Sequence, residues 1–509
     1  MDTYILAHDL GTSGNKASLF QTDGSLIANT SYSYPTYYLS PGWAEQNPED
    51  YWLAFCECTK KILKKARIKP KQIGAVSFSG QMMAALPVDS RGRGIRKSII
   101  WADLRSTTEA DLLRERIGEE RFYEISGNRL SASYPVAKIM WVKKNEPDVY
   151  RNTWKFINAK DFVAARLTGN IVSDYSDASA MALLDIRSLE WSGEIIQASG
   201  IDPDKLPPLV ESTSVIGEVR REVADECGLA PGTPVVKGAG DGPCATTGSG
   251  VVDEGEAYMY IGTSTWMGLA TRRPYIDPKR RTHTFCHFVR GLYAPAGTMQ
   301  SGGGSLGWLE NNLCPLESYA AVEAQVDVYD ILSIRASAIP SGSGNLIFLP
   351  YLMGERCPLW NPDARGCFIG LSLIHTKDHL IRAVLEGVAY HMKMISEAFS
   401  EQGARFEVIR LIGGGAKSDV WRSILADIIG VEIVKLNYLE EATSIGAAVA
   451  GGLGTGFFSS LRDVNRFIRV VERTPPAPQN RERYLKYYRI FEECYRRLED
   501  IFPGLGRFV

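Results

Sequence analysis

Apolar stretches separated by turns of small residues dominate the beginning of the chain. Residues 4–10 are apolar enough for a buried strand, and Gly11-Thr12-Ser13-Gly14 follows as a tight turn. A second apolar stretch, residues 15–20, returns from this turn, and residues 26–28 begin a third. Short apolar runs bounded by Gly, Ser and Thr are typical of β-strands. The pattern therefore predicts strands joined by a first turn that carries little side-chain bulk.

The same pattern recurs half a chain later. Residues 257–261 are apolar, Gly262-Thr263-Ser264 follows, and residues 265–270 lead away from the turn. Two copies separated by about one domain length suggest duplicated halves that face each other across a cleft. The chain contains no P-loop pattern and no Gly-x-Gly-x-x-Gly that opens a first strand–helix unit, so neither of those nucleotide sites is predicted.

The first turn has the chemistry of an anion site. Its backbone N–H groups can face a phosphate, Thr12 and Ser13 add hydroxyl donors, and Lys16 adds a positive charge. Asp9, near the end of the preceding strand, is placed to hold a hydrated Mg²⁺. A turn of this composition is by itself a weak signal. Because the turn is repeated, we expect a phosphate chain to be held from both sides.

A lone carboxylate lies in the middle of the chain. Val235 and Val236 lead into a glycine-rich turn that contains Asp241, and a segment of small residues able to form a helix follows. Asp241 is therefore expected just before or at a helix N-terminus, where free N–H groups and the helix dipole would keep it ionised and ready to accept a proton. The alternative is that Asp241 only caps the helix.

Polar residues follow two more predicted strands between the hairpins. Residues 73–80 form a buried-strand pattern that ends at Gln81, and residues 99–105 form another that contains Asp103 and Arg105. Strand ends face the ligand crevice in α/β sheets, so these three residues are candidates for holding substrate hydroxyl groups. Candidates for an apolar wall, with core packing as the alternative, are Met82, Met83 and Trp101.

Two further glycine-rich segments allow close approach to the backbone. Residues 300–309 start a helix with small residues, and residues 411–419 run from a strand into a triple-glycine helix start. An adenine ring and its ribose would suit the second. The helix start at Thr443 shows no ligand role, and the charged segment from 481 to about 501 is expected to be a solvated capping helix.

Composition and charge narrow the classes of function that we expect for this chain. The chain has 509 residues, enough for two domains, and a formal net charge of −2, so we expect no general attraction to nucleic acid or to an anionic membrane. No apolar run is long enough to span a bilayer, and no basic region precedes the first strand, so we expect a cytoplasmic protein. The nine cysteines are scattered, which argues for reduced thiols and against a zinc site.

Two spaced signatures, together with both Gly-Thr-Ser turns, resemble those of the FGGY carbohydrate kinases over nearly the whole chain. The first is Ser-Tyr-Pro-Val-Ala-Lys-Ile-Met-Trp-Val at 133–142. The second is Gly-Cys-Phe-Ile-Gly-Leu at 366–371, followed by His379-Leu380 and by Ala-Val-Leu-Glu at 383–386. The resemblance implies an α/β, two-lobed, actin-like ATPase fold (ribonuclease H-like) with ATP and sugar in the cleft between the lobes.

The resemblance also implies the division of the chain and the roles of residues. Residues 1–248 would be the sugar-binding lobe and residues 249–509 the nucleotide-binding lobe. Asp241 matches the catalytic base, and the implied Mg²⁺ ligands are Asp9 and Asp241. The implied ATP-binding residues are Gly11, Thr12, Ser13, Lys16, Gly262, Thr263, Ser264, Gly303, Gly307, Gly414, Gly415, Ala416 and Asp419. The substrate-binding candidates are Gln81, Met82, Met83, Asp103, Arg105, Asp241, Gly242 and Trp266.

Within the family, the xylulokinases look most similar, since Asp174, Asp177 and the pair Lys160-Asp161 resemble that subgroup. The predicted reaction is transfer of the γ-phosphate of ATP to a primary hydroxyl of a ketose such as xylulose. Two sugar contacts of the subgroup, a His and an Asn, are replaced here by Met83 and Gly242. Loss of buried polar contacts weakens discrimination between hydroxyl patterns.

Other acceptors therefore stay open, namely glycerol, erythritol, ribulose or gluconate. Trp266 lies where glycerol kinases place a ring against the substrate carbons, with buried packing as the alternative. A non-kinase ATP-driven clamp on the same fold is the alternative of another class. The expected partner is a small sugar or polyol, and a homodimer is one option because related kinases often form dimers.

Overall fold

Two seven-stranded β-sheets carry the fold of residues 3–505, the part of the chain that the computed structural model describes. The first sheet is built from residues 4–240 and the second from residues 257–474. We refer to residues 3–248 as the first half and to residues 249–505 as the second half. The first two and last four positions of the predicted lobes lie outside the described residues.

The elements of the first half are β1 (Tyr4–Leu10), β2 (Gly14–Gln21), β3 (Leu26–Ser33), β4 (Glu45–Gln46), α1 (Pro48–Ala66), β5 (Ile73–Gly80), β6 (Leu86–Val88), β7 (Ser98–Ile99), α2 (Thr107–Ile117), α3 (Glu119–Ser126), α4 (Pro135–Asn145), α5 (Pro147–Asn152), β8 (Lys155–Ile157), α6 (Ala159–Thr168), β9 (Ser173–Asp174), α7 (Tyr175–Ala180), β10 (Leu184–Asp185), β11 (Glu190–Trp191), α8 (Gly193–Ser199), β12 (Leu209–Val210), β13 (Val215–Glu218), α9 (Arg221–Cys227), β14 (Pro234–Val236), β15 (Ala239–Gly240) and α10 (Asp241–Gly248).

The elements of the second half are β16 (Ala257–Ile261), β17 (Thr265–Leu269), β18 (His283–Cys286), β19 (Tyr293–Met299), α11 (Gly303–Leu313), α12 (Pro315–Ala324), α13 (Val328–Ser337), β20 (Ile347–Leu349), β21 (Cys367–Ile369), α14 (Lys377–Glu401), β22 (Val408–Ile412), α15 (Asp419–Ile429), β23 (Glu432–Leu436), α16 (Ala442–Gly454), β24 (Val470–Thr474), α17 (Pro478–Leu498) and α18 (Phe502–Leu505).

The centres of the two sheets have the same arrangement. In the first, β1 pairs antiparallel with β2 and parallel with β5, and in the second, β16 pairs antiparallel with β17 and parallel with β22. In each sheet, the Gly-Thr-Ser turn therefore joins the central strand to its antiparallel neighbour. The predicted repetition of the strand–turn–strand unit is confirmed.

A pair of helices joins the halves. Helix α16 of the second half packs on β1 and β5 of the first sheet and crosses α10. The helices approach so closely that a Cβ on Gly446 would lie 2.1 Å from the carbonyl oxygen of Cys244. Glycine allows this approach because it has no side chain. The small-residue composition of both segments thus brings the start of α10, with Asp241, to the junction of the two halves.

Two predicted elements differ from the structure. The strand predicted over residues 99–105 ends at Ile99, because the chain turns there and the N–H of Asp103 donates to the carbonyl of Ile100 at 3.0 Å. The C-terminal helix, α17, is solvated on one face only. Its other face buries four rings in the core of the second half, namely Tyr484, Tyr488, Phe491 and Tyr495. No helix within residues 3–505 is long and apolar enough to cross a membrane.

Candidate active site

A cavity of about 310 Å³ lies between the two halves, and both contribute to its walls. Its lining includes many of the residues that the sequence singles out. Those residues are Asp9, Gly11, Met82, Met83, Trp101, Asp241, Gly242, Ser264 and Trp266. The lining therefore brings together both predicted Mg²⁺ ligands, one of which is the predicted base, with a residue of each Gly-Thr-Ser turn and the predicted apolar wall.

Asp241 is the first residue of α10, and Gly240 occupies the N-cap position. One carboxylate oxygen, Oδ1, accepts a hydrogen bond from the N–H of Gly242 at 2.8 Å. Burial, together with the nearby charge of Asp9, raises the pKa of Asp241 to about 7. The expectation that the helix N-terminus keeps this carboxylate fully ionised is therefore wrong, because desolvation outweighs the helix dipole.

Only one carboxylate oxygen of Asp9 has a hydrogen-bond partner among residues 3–505. Its Oδ2 accepts a hydrogen bond from the hydroxyl of Thr443 at 2.7 Å, whereas its Oδ1 is buried and has no hydrogen-bond partner among residues 3–505. A spare buried carboxylate oxygen beside a second carboxylate, that of Asp241, fits a divalent cation that prefers oxygen ligands, such as Mg²⁺. The sequence analysis assigned Thr443 no ligand role, yet it holds Asp9 and lines the cavity.

A buried ionic network lies behind Asp241. Lys160 forms ion pairs with Asp161, Asp174 and Asp177, and Lys237 pairs with Asp161. The two lysines offset two of the three clustered carboxylates, and burial raises the pKa of Asp177 well above its usual range, so the cluster needs no metal ion for charge balance. Through Asp174, the network reaches Ser176, whose hydroxyl accepts a hydrogen bond at 2.9 Å from the N–H of Gly240. The residue before Asp241 is thus fixed in place.

The first Gly-Thr-Ser turn is braced by its neighbours. The N–H of Gly11 donates to the carbonyl of Gly14 at 3.0 Å, and the indole N–H of Trp101 donates to the hydroxyl of Thr12 at 2.8 Å. The side chain of Lys16 reaches the second half, where it donates to the carbonyl of Glu440 at 2.7 Å and pairs with Glu441. Ser13, the third residue of this turn, is exposed. Lys16 thus bridges the two halves.

The second turn is tied to the start of α11. The N–H of Gly262 donates to the carbonyl of Ser264 at 3.0 Å, and the N–H of Gly303 donates to the carbonyl of Gly262 at 2.8 Å. A Cβ on Gly303 would lie 2.3 Å from that carbonyl oxygen, so only glycine fits. Thr263 is exposed, and Gly307 lies one helical turn further along α11.

The third glycine-rich segment forms a short 3-10 turn, Gly414–Lys417, before α15. Gly414 is exposed and has open space where a side chain would be, whereas Ala416 is buried. Asp419 is exposed and pairs with the buried Arg422. These residues, with Gly415, do not line the cavity. They leave a stretch of open backbone at the carboxyl end of β22, the strand next to the second turn.

Three of the predicted substrate-binding residues do not line the cavity. The amide of Gln81 donates to the side chain of Gln46 at 2.7 Å, and Asp103 pairs with Arg105 at 2.7 Å. The guanidinium of Arg105 lies 3.8 Å from the ring centre of Trp43, where it is enclosed. Because the strand predicted at 99–105 is a turn, the side chains of Asp103 and Arg105 fold back into the first half, and Gln81 is held there by its contact with Gln46.

Sequence reasoning missed part of the cavity wall in both halves. The missed lining residues include Ser131, Ser133, Tyr134, Thr246, Tyr258, His283, Phe285, Arg356 and Trp360. These positions lie in loops, on strands or, for Thr246, in α10, and no spacing there distinguishes a wall residue from a core residue. The charged pair Glu355-Arg356 between apolar neighbours is the one signal in the sequence that could have indicated this wall.

Comparison with known proteins identifies the family to which the chain belongs. A model of the N-terminal domain of the FGGY family of carbohydrate kinases matches residues 4–248, and a model of the C-terminal domain matches residues 257–455. The chain belongs to the FGGY family of carbohydrate kinases. It is therefore a phosphotransferase with an alcohol group as acceptor, and the family implies ATP as the phosphoryl donor.

Individual relatives of this carbohydrate kinase carry two different names. The chain is 33% identical over 506 residues to the xylulose kinase of Bacillus subtilis (strain 168), and this match covers 99% of each chain. It is also 33% identical over 510 residues to the gluconokinase of the same strain, covering 100% of this chain and 98% of that one.

A solved structure shows the same architecture. The ligand-bound xylulose kinase from Lactobacillus acidophilus superposes with a TM-score of 0.91 at 28% identity, and 100% of each chain is covered. The predicted actin-like, two-lobed α/β fold is thereby confirmed.

Proposed function

We propose that this carbohydrate kinase transfers the γ-phosphate of ATP to a primary hydroxyl of an open-chain sugar or sugar acid, with Asp241 as the general base. The observation that carries the proposal is the position of Asp241. Its carboxylate opens a helix at the junction of the halves, faces the cavity and lies near Asp9. A general base must be within hydrogen-bond reach of the hydroxyl that it deprotonates.

The transferring phosphoryl group is proposed to lie between the two Gly-Thr-Ser turns. Backbone N–H groups, the hydroxyls of Thr12 and Thr263 and the helix start at Gly303 would stabilise its negative charge. Asp9 and Asp241 would hold Mg²⁺, which supplies further charge neutralisation when it is bound. The open backbone near Gly414 is proposed to carry the adenosine. Lys16 is proposed to act by holding the halves together rather than by direct contact with phosphate, since Glu440 and Glu441 engage its ammonium.

The acceptor is proposed to be a ketose such as xylulose or a sugar acid such as gluconate, the two classes that the names of the relatives suggest. The cavity suits the carbon chain of either, because its wall is rich in aromatic rings. Trp266 is one of them, stacked on Tyr260 with ring centres 4.0 Å apart. Rings stack on the C–H faces of sugars, while Met82 and Met83 fill the space between them.

We also propose that residues 1–248 bind the acceptor and residues 249–509 bind the nucleotide, with one modification. The nucleotide is expected mainly on the second half, but the acceptor would contact both, because the second half contributes Trp266 and further rings to the cavity. Closure of the halves around both ligands would exclude water, which limits wasteful hydrolysis of ATP.

An ADP-release assay over a panel of acceptors tests the proposal. The panel comprises xylulose, ribulose, erythritol, glycerol, gluconate and xylonate, and a reaction without acceptor gives the background. We expect at least one acceptor to raise ADP release by orders of magnitude and to appear as a phosphorylated product. Steady ATP hydrolysis that no member of the panel changes would contradict the proposal and favour an ATP-driven clamp.

A further inference from the structure

A positively charged group lies in the cavity without a protein partner. The guanidinium of Arg356 lines the cavity, and it forms no hydrogen bond or ion pair within residues 3–505. Its nearest ring, Trp101, is 5.6 Å from it, measured from Cζ to the ring centre. Withdrawal from water lowers the pKa of Arg356. Arg356 is partly exposed to the cavity and has no ion-pair partner among residues 3–505, so its N–H groups are available to an anionic group of a ligand.

The adjacent acid does not neutralise Arg356. One oxygen of the Glu355 carboxyl accepts hydrogen bonds from the backbone N–H groups of Gln300 and Arg356, and the other oxygen lies 3.6 Å from Nε2 of His391. Burial raises the pKa of Glu355 to about 8, so this carboxyl is largely protonated at neutral pH. Glu355 therefore forms no ion pair with Arg356 among the described residues, although it lies close enough for the two charges to interact.

Further hydrogen-bonding groups line the same cavity. His283 lines it, and the positive charge of Arg356 adds to burial in lowering the pKa of His283 to about 4, so its ring is neutral and can donate one hydrogen bond. Ser133 lines it too, with a hydroxyl that has no partner among the described residues. Ser133 lies two residues before α4, whose N-terminus adds the positive end of an 11-residue helix dipole.

We propose that Arg356, with His283 and Ser133, binds a carboxylate at the end of the acceptor remote from the reacting hydroxyl, so that the preferred acceptor is a sugar acid. The inference rests on the proposed function and narrows its acceptor class. A guanidinium matches a carboxylate through two parallel N–H···O bonds, and a neutral ketose or alditol offers it no such group. The aromatic rings that line the rest of the cavity would hold the carbon chain between this carboxylate and Asp241.

Matched acceptor pairs test the inference. Gluconate is compared with sorbitol, and xylonate with xylitol, since each pair differs by a carboxylate in place of a terminal hydroxymethyl group; xylulose is the ketose reference. For the native protein we expect kcat/KM to be about 100-fold higher for the acid of each pair, as a charged hydrogen bond in a desolvated site provides. A native preference for xylulose or for the alditols would overturn the inference while leaving the kinase proposal intact.

Variants of Arg356 test whether this residue causes the preference for acidic acceptors. Arg356→Met should lower kcat/KM for the acids by about 100-fold, mainly through KM, and leave the neutral acceptors unchanged, and Arg356→Lys should recover part of the loss. Arg405→Met, at an exposed position, is the matched control. An equal loss for acidic and neutral acceptors would overturn the inference, because it would show that Arg356 serves the phosphoryl group.

Binding without turnover separates this inference from the proposed function. Trp101, Trp266 and Trp360 line the cavity, so gluconate binding can be followed by tryptophan fluorescence in the absence of ATP. We expect saturable quenching in the native protein and none in Arg356→Met, even under conditions where no acceptor is phosphorylated. The variant should also unfold at no lower temperature than the native protein, since it removes an unpaired charge. Unchanged gluconate binding in the variant would overturn the inference.

Discussion

At the scale of single residues, burial decides the chemistry more than local sequence does. Asp241 could be predicted from the sequence as the carboxylate at a helix start, because strand, glycine turn and helix are all local patterns. Its raised pKa could not, because it depends on burial and on Asp9, which lies 232 positions earlier in the chain. The same reason explains why Thr443 and Arg356 were missed, since each acquires its role only through residues distant in sequence.

Thr443 is expected to act as a positioning residue for Asp9. Thr443→Val removes the hydroxyl that donates to Asp9 Oδ2 at 2.7 Å while keeping the side-chain shape. We expect kcat to fall roughly tenfold, which corresponds to the loss of one hydrogen bond to a charged group. Steady-state kinetics with ATP and the preferred acceptor measure this change.

Two further variants decide whether the hydroxyl itself matters. Thr443→Ser keeps it and should restore most of the activity. Thr455 lies just beyond the end of the same helix, and its hydroxyl donates only to the backbone carbonyl of Gly451. Thr455→Val removes this hydroxyl and should leave kcat unchanged. If the Ser variant were as slow as the Val variant, the positioning role would be wrong.

At the scale of elements, strands bounded by small residues were predictable, whereas strand ends were not. The bounds of β1 follow from its apolar run and from the small-residue turn that ends it. The strand predicted at 99–105 failed because Asp103 and Arg105 satisfy each other inside the fold, and this pairing favours a turn over an extended end. An ion pair of this kind leaves no periodic signal in the sequence.

The contact between α10 and α16 is expected to depend on glycine. Gly446→Ala places a Cβ about 2.1 Å from the backbone carbonyl of Cys244, which cannot move as a flexible side chain could. We expect the free energy of unfolding to fall by about 3 kcal/mol, the upper part of the range for overpacking. Urea unfolding followed by circular dichroism measures it.

Gly193 at the start of α8 is the matched control for that substitution. A Cβ there would meet no atom within 4 Å, so Gly193→Ala should be neutral or slightly stabilising. Equal stability of the two alanine variants would show that the helix pair does not pack as described. Because α10 begins with Asp241, the Gly446 variant should also lose activity at temperatures where it is still folded.

At the scale of the whole molecule, the duplicated hairpins and the two family signatures were enough to predict the fold class and the placement of a cleft. They were not enough to predict which side chains the second half would present to it. The wall formed by His283, Phe285, Arg356 and Trp360 comes from β18 and from loops, and its composition follows from how the halves meet. Acceptor choice therefore depends on the part of the site that local patterns describe least.

The measurement that tests the account most directly is the rate of acceptor-dependent ADP release by Asp241→Asn. The substitution keeps the shape and the acceptor oxygen for the Gly242 N–H but removes the base. We predict that kcat falls by about a thousandfold, within the range that a general base contributes. Asp253→Asn, which alters a carboxylate paired with Arg462, should leave kcat unchanged. An Asp241→Asn variant that folds and retains most of the native rate would contradict the account.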